Sequence, residues 1–352
     1  MDNSTIHMCP DWLYRIKWSN ETTIEDINQI LMTRNIPGLV FVSILMLTGF
    51  LGNAIVLYIF FTKFARSNYR TYVLCLALLD EISSCFLMPF IIIYLLYPKH
   101  FPDNILCKFG HFVGYYTSTA SAFLLILIAI DRYRKICQPM KRQISKLFAK
   151  RSCVIINIVA AIISIQSMFI YGTTTRPTGL FNVTETICFM EKDPFLATYG
   201  RVFYIQLQIC LAFVIVFITV LYFNIMRKLH THKRKSMQRL RLSSSSGPKT
   251  VRTRKTTLTF IVITLIFAIS SEIHHALAMI LHFVDNLECH MNKAEGTAFY
   301  IFLWAVFINN VSNPFIYGVS DDRFRSHVKE MLKKNQDYKP NNRKDSKSSV
   351  SE

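Results

Sequence analysis

Charge is scarce in this chain, and it is unevenly spread. Only 18% of the 352 residues are Asp, Glu, Lys or Arg, against 51% hydrophobic. The 22 residues between Lys108 and Asp131 hold no charge at all. A soluble domain of this length would scatter its apolar residues, so that class is excluded. Residues 1–35 hold no apolar run, which argues against a cleavable signal peptide. Residues 227–255 hold no acid, and residues 296–318 hold no lysine.

What is present is a set of seven long, nearly charge-free blocks: about 36–61, 71–97, 109–130, 152–175, 202–226, 256–284 and 296–318. A helix rises 1.5 Å per residue, so a block of about 20 residues crosses a bilayer core of roughly 30 Å. The expected fold is an all-α membrane protein, a seven-transmembrane helix bundle over residues 36–318. Residues 1–35 form the amino-terminal segment, 319–335 a short amphipathic helix and 336–352 a disordered tail. Of the 40 Lys and Arg residues, thirty fall in 62–70, 134–151, 227–255 and 319–352. These four segments share one side of a seven-span bundle. The positive-inside rule then places the carboxyl end in the cytoplasm and the amino end outside, at the plasma membrane. The basic excess is a topology signal and calls for no nucleic acid.

Several polar residues interrupt the blocks. Asp80 lies at membrane depth, where a carboxylate needs a partner or a wet cavity. Glu81 follows it but points about 100° away around the helix, so the two cannot share one site. Gly52 and Asn53 suit close helix contact and interhelical bonding. Met88-Pro89 is expected to kink the second span. Glu272, His274, His275 and His282 gather in the outer half of the sixth span, either as polar ligand contacts or as bundle hydrogen bonds. They make no full zinc ligand set. Cys107 and Cys188 share the oxidising side, which permits a disulfide. Cys9 and Cys289 lie on the same side, and a second bridge between them stays open. Asn3, Asn20 and Asn182 fit the glycosylation acceptor.

A transporter or proton pump is the rival from another class, with Asp80, Glu81, Glu272 and the histidines as its relay. Neither an inverted repeat nor a pair of broken spans is evident. No nucleophile and base stand at catalytic spacing, so an enzyme is not expected.

Taken together, Gly52-Asn53-x-x-Val56, Leu76-Ala77-x-x-Asp80, Cys107 with Cys188, Asp131-Arg132-Tyr133, Pro139, Tyr222, Phe267 and Asn313-Pro314-x-x-Tyr317 follow one another in order. In this the chain resembles the rhodopsin-like (class A) G-protein-coupled receptors over about residues 36–335. Each motif alone is weak. The joint spacing is specific, with Arg132 25 residues after Cys107.

The resemblance implies roles. Asp131 would hold Arg132 at rest, and Arg132, with Tyr133, Tyr222 and Tyr317, would serve the active state that binds a heterotrimeric G protein. Met140 matches an apolar knob for the G protein. Asn53, Asp80, Ser121, Asn309 and Asn313 match a polar pocket that holds sodium, the one candidate cofactor. Residues 322–334 match an amphipathic eighth helix against membrane lipid, here without a palmitoyl cysteine. Ser346, Ser348, Ser349 and Ser351 would, once phosphorylated by receptor kinases, recruit arrestin.

The chain also departs from that pattern. Val214 replaces the fifth-span proline, Ala122 a third-span isoleucine, and Ser270-Ser271-Glu272-Ile273 the sixth-span Cys-Trp-x-Pro. The resemblance places a ligand pocket near Gly114, Glu272, His275 and Phe307. Gly114 stands where amine receptors carry an aspartate, and Phe307 where opsins carry the retinal lysine. Monoamines and retinal are thereby disfavoured. A long outside loop, residues 173–198, suits a neuropeptide or peptide hormone. Acids Glu185, Glu191, Asp193, Asp285, Glu288 and Glu295 suggest a basic or amidated one. A decoy or orphan receptor for a small molecule or lipid is the alternative.

Overall fold

The computed structural model describes residues 23–178, 183–190, 193–240, 248–284, 287 and 291–337. Six helices are long and apolar enough to cross a membrane: Ile24–Thr62, Asn68–Leu96, Asn104–Cys137, Lys146–Ile170, Pro194–Thr231 and Arg254–Leu281. A seventh span is made by Ala294–Trp304 and Phe307–Ser320, which meet at 53°. The chain is a multi-pass membrane protein, and these seven spans are numbered below in chain order.

The first span starts well before its apolar block. Thr23 caps it in a capping box with Asp26, which satisfies two otherwise open amide groups. Residues 24–35 are polar, but Asn28 donates to the Leu96 carbonyl at 3.0 Å and Asn35 to the Leu95 carbonyl at 3.2 Å. Tertiary bonding to the end of the second span holds this turn of helix. The fifth and sixth helices likewise run beyond their apolar blocks, over Pro194–Leu240 and Pro248–Phe283. The expected inside loop 227–255 is therefore largely helix among its described residues.

The second span widens into a π-turn at Ser83–Leu87, just before Pro89. Proline cannot donate to the helix ladder and its ring crowds the carbonyl one turn back, so the strain is relieved upstream. The seventh span breaks where none was expected. At the bend the amides of Ile308 and Asn309 bond three residues back, to Ala305 and Val306. The Leu303 carbonyl accepts instead from Nδ1 of His274 at 2.7 Å. A carbonyl accepts only from a protonated nitrogen, so Nδ1 carries the hydrogen there.

Between the fourth and fifth spans, strands β1 (Tyr171–Pro177) and β2 (Thr184–Met190) form an antiparallel hairpin. The Cys107–Cys188 disulfide ties β2 to the start of the third span. Asp322–Asp337 forms a final helix, with Phe324 buried on its inner face. It starts at Asp322, where the motif pattern began its eighth helix, and runs to Asp337. Cys9, Cys289, Asn3, Asn20, Asn182 and the serines of the tail lie outside the described residues.

Candidate functional site

The bundle has functional features at three depths. At the hairpin end it opens a cavity of about 200 Å³ lined by spans two, three, five, six and seven and by the hairpin. Gly114, His275 and Phe307 line it as expected. Glu272 does not. The lining residues of the sixth span are Phe267, Ser271, His274, His275, Ala278 and Leu281. These keep one helical face, and residue 272 falls about 100° off Ser271. His275 is held by the Tyr204 hydroxyl, which donates to its carbonyl at 2.7 Å. His111, not singled out by the sequence, lines the cavity and stacks on Tyr171 at 3.8 Å. Cys107, His111 and Cys188 lie within 4.8 Å of one another. Both sulfurs are bonded to each other, so no thiolate is there to hold a metal.

The acids expected to face a basic ligand are in part used by the fold. Glu185 is 5% exposed and pairs with Lys99 at 3.1 Å and with Arg176. Asp193 accepts from the Phe195 and Leu196 amides at 3.0 Å. Glu295 completes a capping box with Asn292. Glu191, Asp285 and Glu288 lie outside the described residues.

At mid-depth, Asp80 is buried and accepts from Asn313 at 2.6 Å. Asn53 donates to the Gly49 carbonyl at 3.0 Å and to the Asn310 carbonyl at 2.9 Å, joining the first and seventh spans. Gly52 makes that contact close: a Cβ there would lie 2.8 Å from the Pro314 ring. Oδ1 of Asn53 and Oδ1 of Asn313 have no partner among the described residues. Ser121 and Asn309 face the cavity instead. Glu81 is half-buried beside Asp80 and outside this set of bonds.

At the far end, Asp131 is buried and takes three donors. Arg132 bonds one carboxylate oxygen, Lys135 reaches the same oxygen at 2.7 Å, and Asn68 reaches the other at 3.0 Å. Lys135 is four residues on from Asp131, the spacing at which helix side chains meet. Asn68 comes from the second span, where nothing in the sequence marked it. The Phe260 ring of the sixth span covers Arg132. Tyr222 bonds Thr264 at 3.3 Å, and Tyr317 packs with Phe60 and Phe324, its hydroxyl unpartnered among the described residues. Tyr133 is half-buried against the core, Phe267 is buried at the cavity floor, and Met140 is 97% exposed.

A cavity at one end of seven spans and a covered basic side chain at the other are the parts of a membrane receptor. Residues 52–317 match the family of seven-transmembrane receptors of the rhodopsin type. The match covers well over half of the chain, which therefore belongs to the rhodopsin family of seven-transmembrane receptors. Its relatives include the type-1 angiotensin II receptor B of Rattus norvegicus, 26% identical over 301 residues, with 83% of this chain and 79% of the relative covered. The type-1 angiotensin II receptor of Homo sapiens is 25% identical over 297 residues at the same coverage. The protein is thus a signalling receptor and not an enzyme.

Proposed function

We propose that this receptor binds the tip of an extracellular peptide in the hairpin-end cavity and activates a heterotrimeric G protein from the Arg132 end. The observation that carries this reading is the Arg132 arrangement. A basic side chain held by Asp131 and covered by Phe260 is a two-state element that movement of the sixth span would release. The cavity, at about 200 Å³, is below the usual size of a small-molecule site, which supports a ligand of which only one end enters. The relatives named for angiotensin II support a peptide.

In this reading the hairpin end faces outside and the Arg132 end faces the cytoplasm, in keeping with the basic excess in the segments there. Met140 is exposed for the G protein. Tyr222 and Tyr317 leave Thr264 and the Phe60 cluster to stabilise the active form. Asp80 and the free oxygens of Asn313 and Asn53 are hard donors that suit sodium, which would favour the resting state. The tail serines serve receptor kinases and arrestin, and the basic face of Asp322–Asp337 meets anionic lipid.

The test is G-protein activation in cells carrying the full chain, screened against a peptide library, with Arg132→Ala alongside. A saturable response lost in the variant is expected. Silence at confirmed surface expression sinks the peptide reading.

A further inference from the structure

The cavity does not end at the level of Phe307. It runs on past Ser271 to Ser83, Ser121 and Asn309. Serine stands at 271, where the family pattern carries tryptophan, and its small side chain leaves the passage open. Four separate spans contribute these polar groups: Ser83 the second, Ser121 the third, Ser271 the sixth and Asn309 the seventh. Each is at most 9% exposed. Their side chains make no hydrogen bond to another described residue, and all four line the cavity, so their polar atoms are turned toward whatever fills it. Four polar groups from four spans on one floor can bond a single small polar group from several sides.

The charge pattern says which ligand. Three histidines, His111, His274 and His275, line the cavity, and no Asp, Glu, Lys or Arg does. Asp80 lies off the lining and is engaged by Asn313. A carboxylate brought to this depth would be dehydrated with no Lys or Arg to pair with, and with imidazoles only nearer the mouth, at His274 and His275 one turn above Ser271. Hydroxyls and an amide offer both donors and acceptors, which a primary carboxamide answers with two N–H groups and a carbonyl. Above the floor, Phe90, Trp304 and Phe307 make an apolar throat.

Resting on the peptide-receptor reading, we propose that Ser83, Ser121, Ser271 and Asn309 form a deep subsite for the carboxamide end of the ligand, as in a carboxy-amidated peptide. The ligand enters amide first, its neighbouring apolar side chain in the aromatic throat. Ser271 sets the specificity by keeping the passage open.

The test needs no known ligand. Purified full-length receptor carrying Ser121→Cys is treated with iodoacetamide, a neutral carboxamide, and with iodoacetate, its charged counterpart of equal length. Alkylation at position 121 is followed by mass spectrometry, each rate being divided by that reagent's rate on glutathione. Iodoacetamide should react about tenfold faster or more, because no Lys or Arg lines the cavity to offset the dehydration of the carboxylate. Adding Ser271→Trp should slow iodoacetamide by a similar factor, and replacing sodium with N-methylglucamine should change nothing. Equal normalised rates overturn the proposal. So does no alkylation at either Ser121→Cys or Asn309→Cys in receptor shown to be folded by its melting curve. Indifference to Ser271→Trp overturns it too, and acceleration on sodium removal would assign the floor to the cation instead.

Paired peptides, each as amide and as free acid, give the functional arm. A peptide equally active in both forms sinks the subsite and leaves the receptor reading intact. Failure of every peptide sinks the peptide reading, and the alkylation rates then decide the subsite alone.

Discussion

The guanidinium carbon of Arg132 lies 5.5 Å from the centre of the Phe260 ring, so the sixth span lies over the basic side chain that the third span presents. A desolvated cation–ring contact contributes up to about 2 kcal/mol, or a roughly thirtyfold shift between two states. Phe260→Leu keeps the bulk and loses the ring face. It should raise basal nucleotide exchange on the G protein several-fold at unchanged surface expression. Unaltered basal exchange would show that Phe260 only packs.

Asn68 is the second restraint on that end. It joins Asp131 and the Ile144 carbonyl, at 3.0 and 2.9 Å, and so links the second span, the third span and the loop beyond it. A hydrogen bond to a charged group contributes about 1.5–3 kcal/mol. Asn68→Leu should lower the Tm of the purified receptor and raise basal signalling. A variant matching the wild type in both would remove Asn68 from the resting restraint.

What the sequence could show was what local pattern carries. Seven nearly charge-free blocks and the spacing from Cys107 to Arg132 pointed to the bundle and its family. The disulfide was permitted by the shared oxidising side of Cys107 and Cys188, and the Asp131–Arg132 pair followed from resemblance. The contacts made across the bundle were not legible. Asn68 meets Asp131 across 63 positions of sequence. The bend at Trp304 and Phe307 contains no proline, and its freed carbonyl is satisfied by His274, 29 positions away. Glu272 was misplaced because acid and imidazole proximity in sequence says nothing about which face of the sixth span meets the cavity. The extended first helix did leave a local trace, Thr23 three residues before Asp26, but a polar segment masked it.

Lys255 and Asp322 tie the sixth span to the last helix at 3.0 Å. The lysine's hydrogen bond holds the Asp322 carboxyl below its ordinary pKa, so the pair stays ionised at neutral pH. Both partners are exposed, and exposed pairs contribute little. Lys255→Ala should therefore change basal activity by about twofold at most. A rise as large as that from Phe260→Leu would show that this surface pair is a true latch.

The disulfide closes a long segment, with 81 positions between Cys107 and Cys188. Loop-closure entropy of that size corresponds to roughly 4.5 kcal/mol. Cys188→Ser should sharply reduce folded receptor at the cell surface. Normal surface levels, with ligand responses intact, would mean that the hairpin is held without the disulfide, by the bonds of Thr186 to Lys99 and Phe101 and of Thr173 to Asn104.

Gly110 tests the cavity wall by addition. A Cβ at that position would lie 2.2 Å from the Phe90 ring, a distance no pair of carbons tolerates. Phe90 lines the throat and also packs on Phe101 and His111, with ring centres 6.1 and 5.6 Å apart. The ring cannot simply retreat, because neighbours hold it on both sides. Overpacking of this kind costs about 1–3 kcal/mol, and here the cheapest escape is rotation of Phe90 into the open cavity. Gly110→Ala should therefore lower the Tm modestly and weaken ligand potency by a larger factor. Gly110→Ala together with Phe90→Leu should recover the Tm, since the smaller side chain makes room. Potency lost with no change in Tm, or a pair no better than the single variant, would show that the added methyl acts elsewhere than on Phe90.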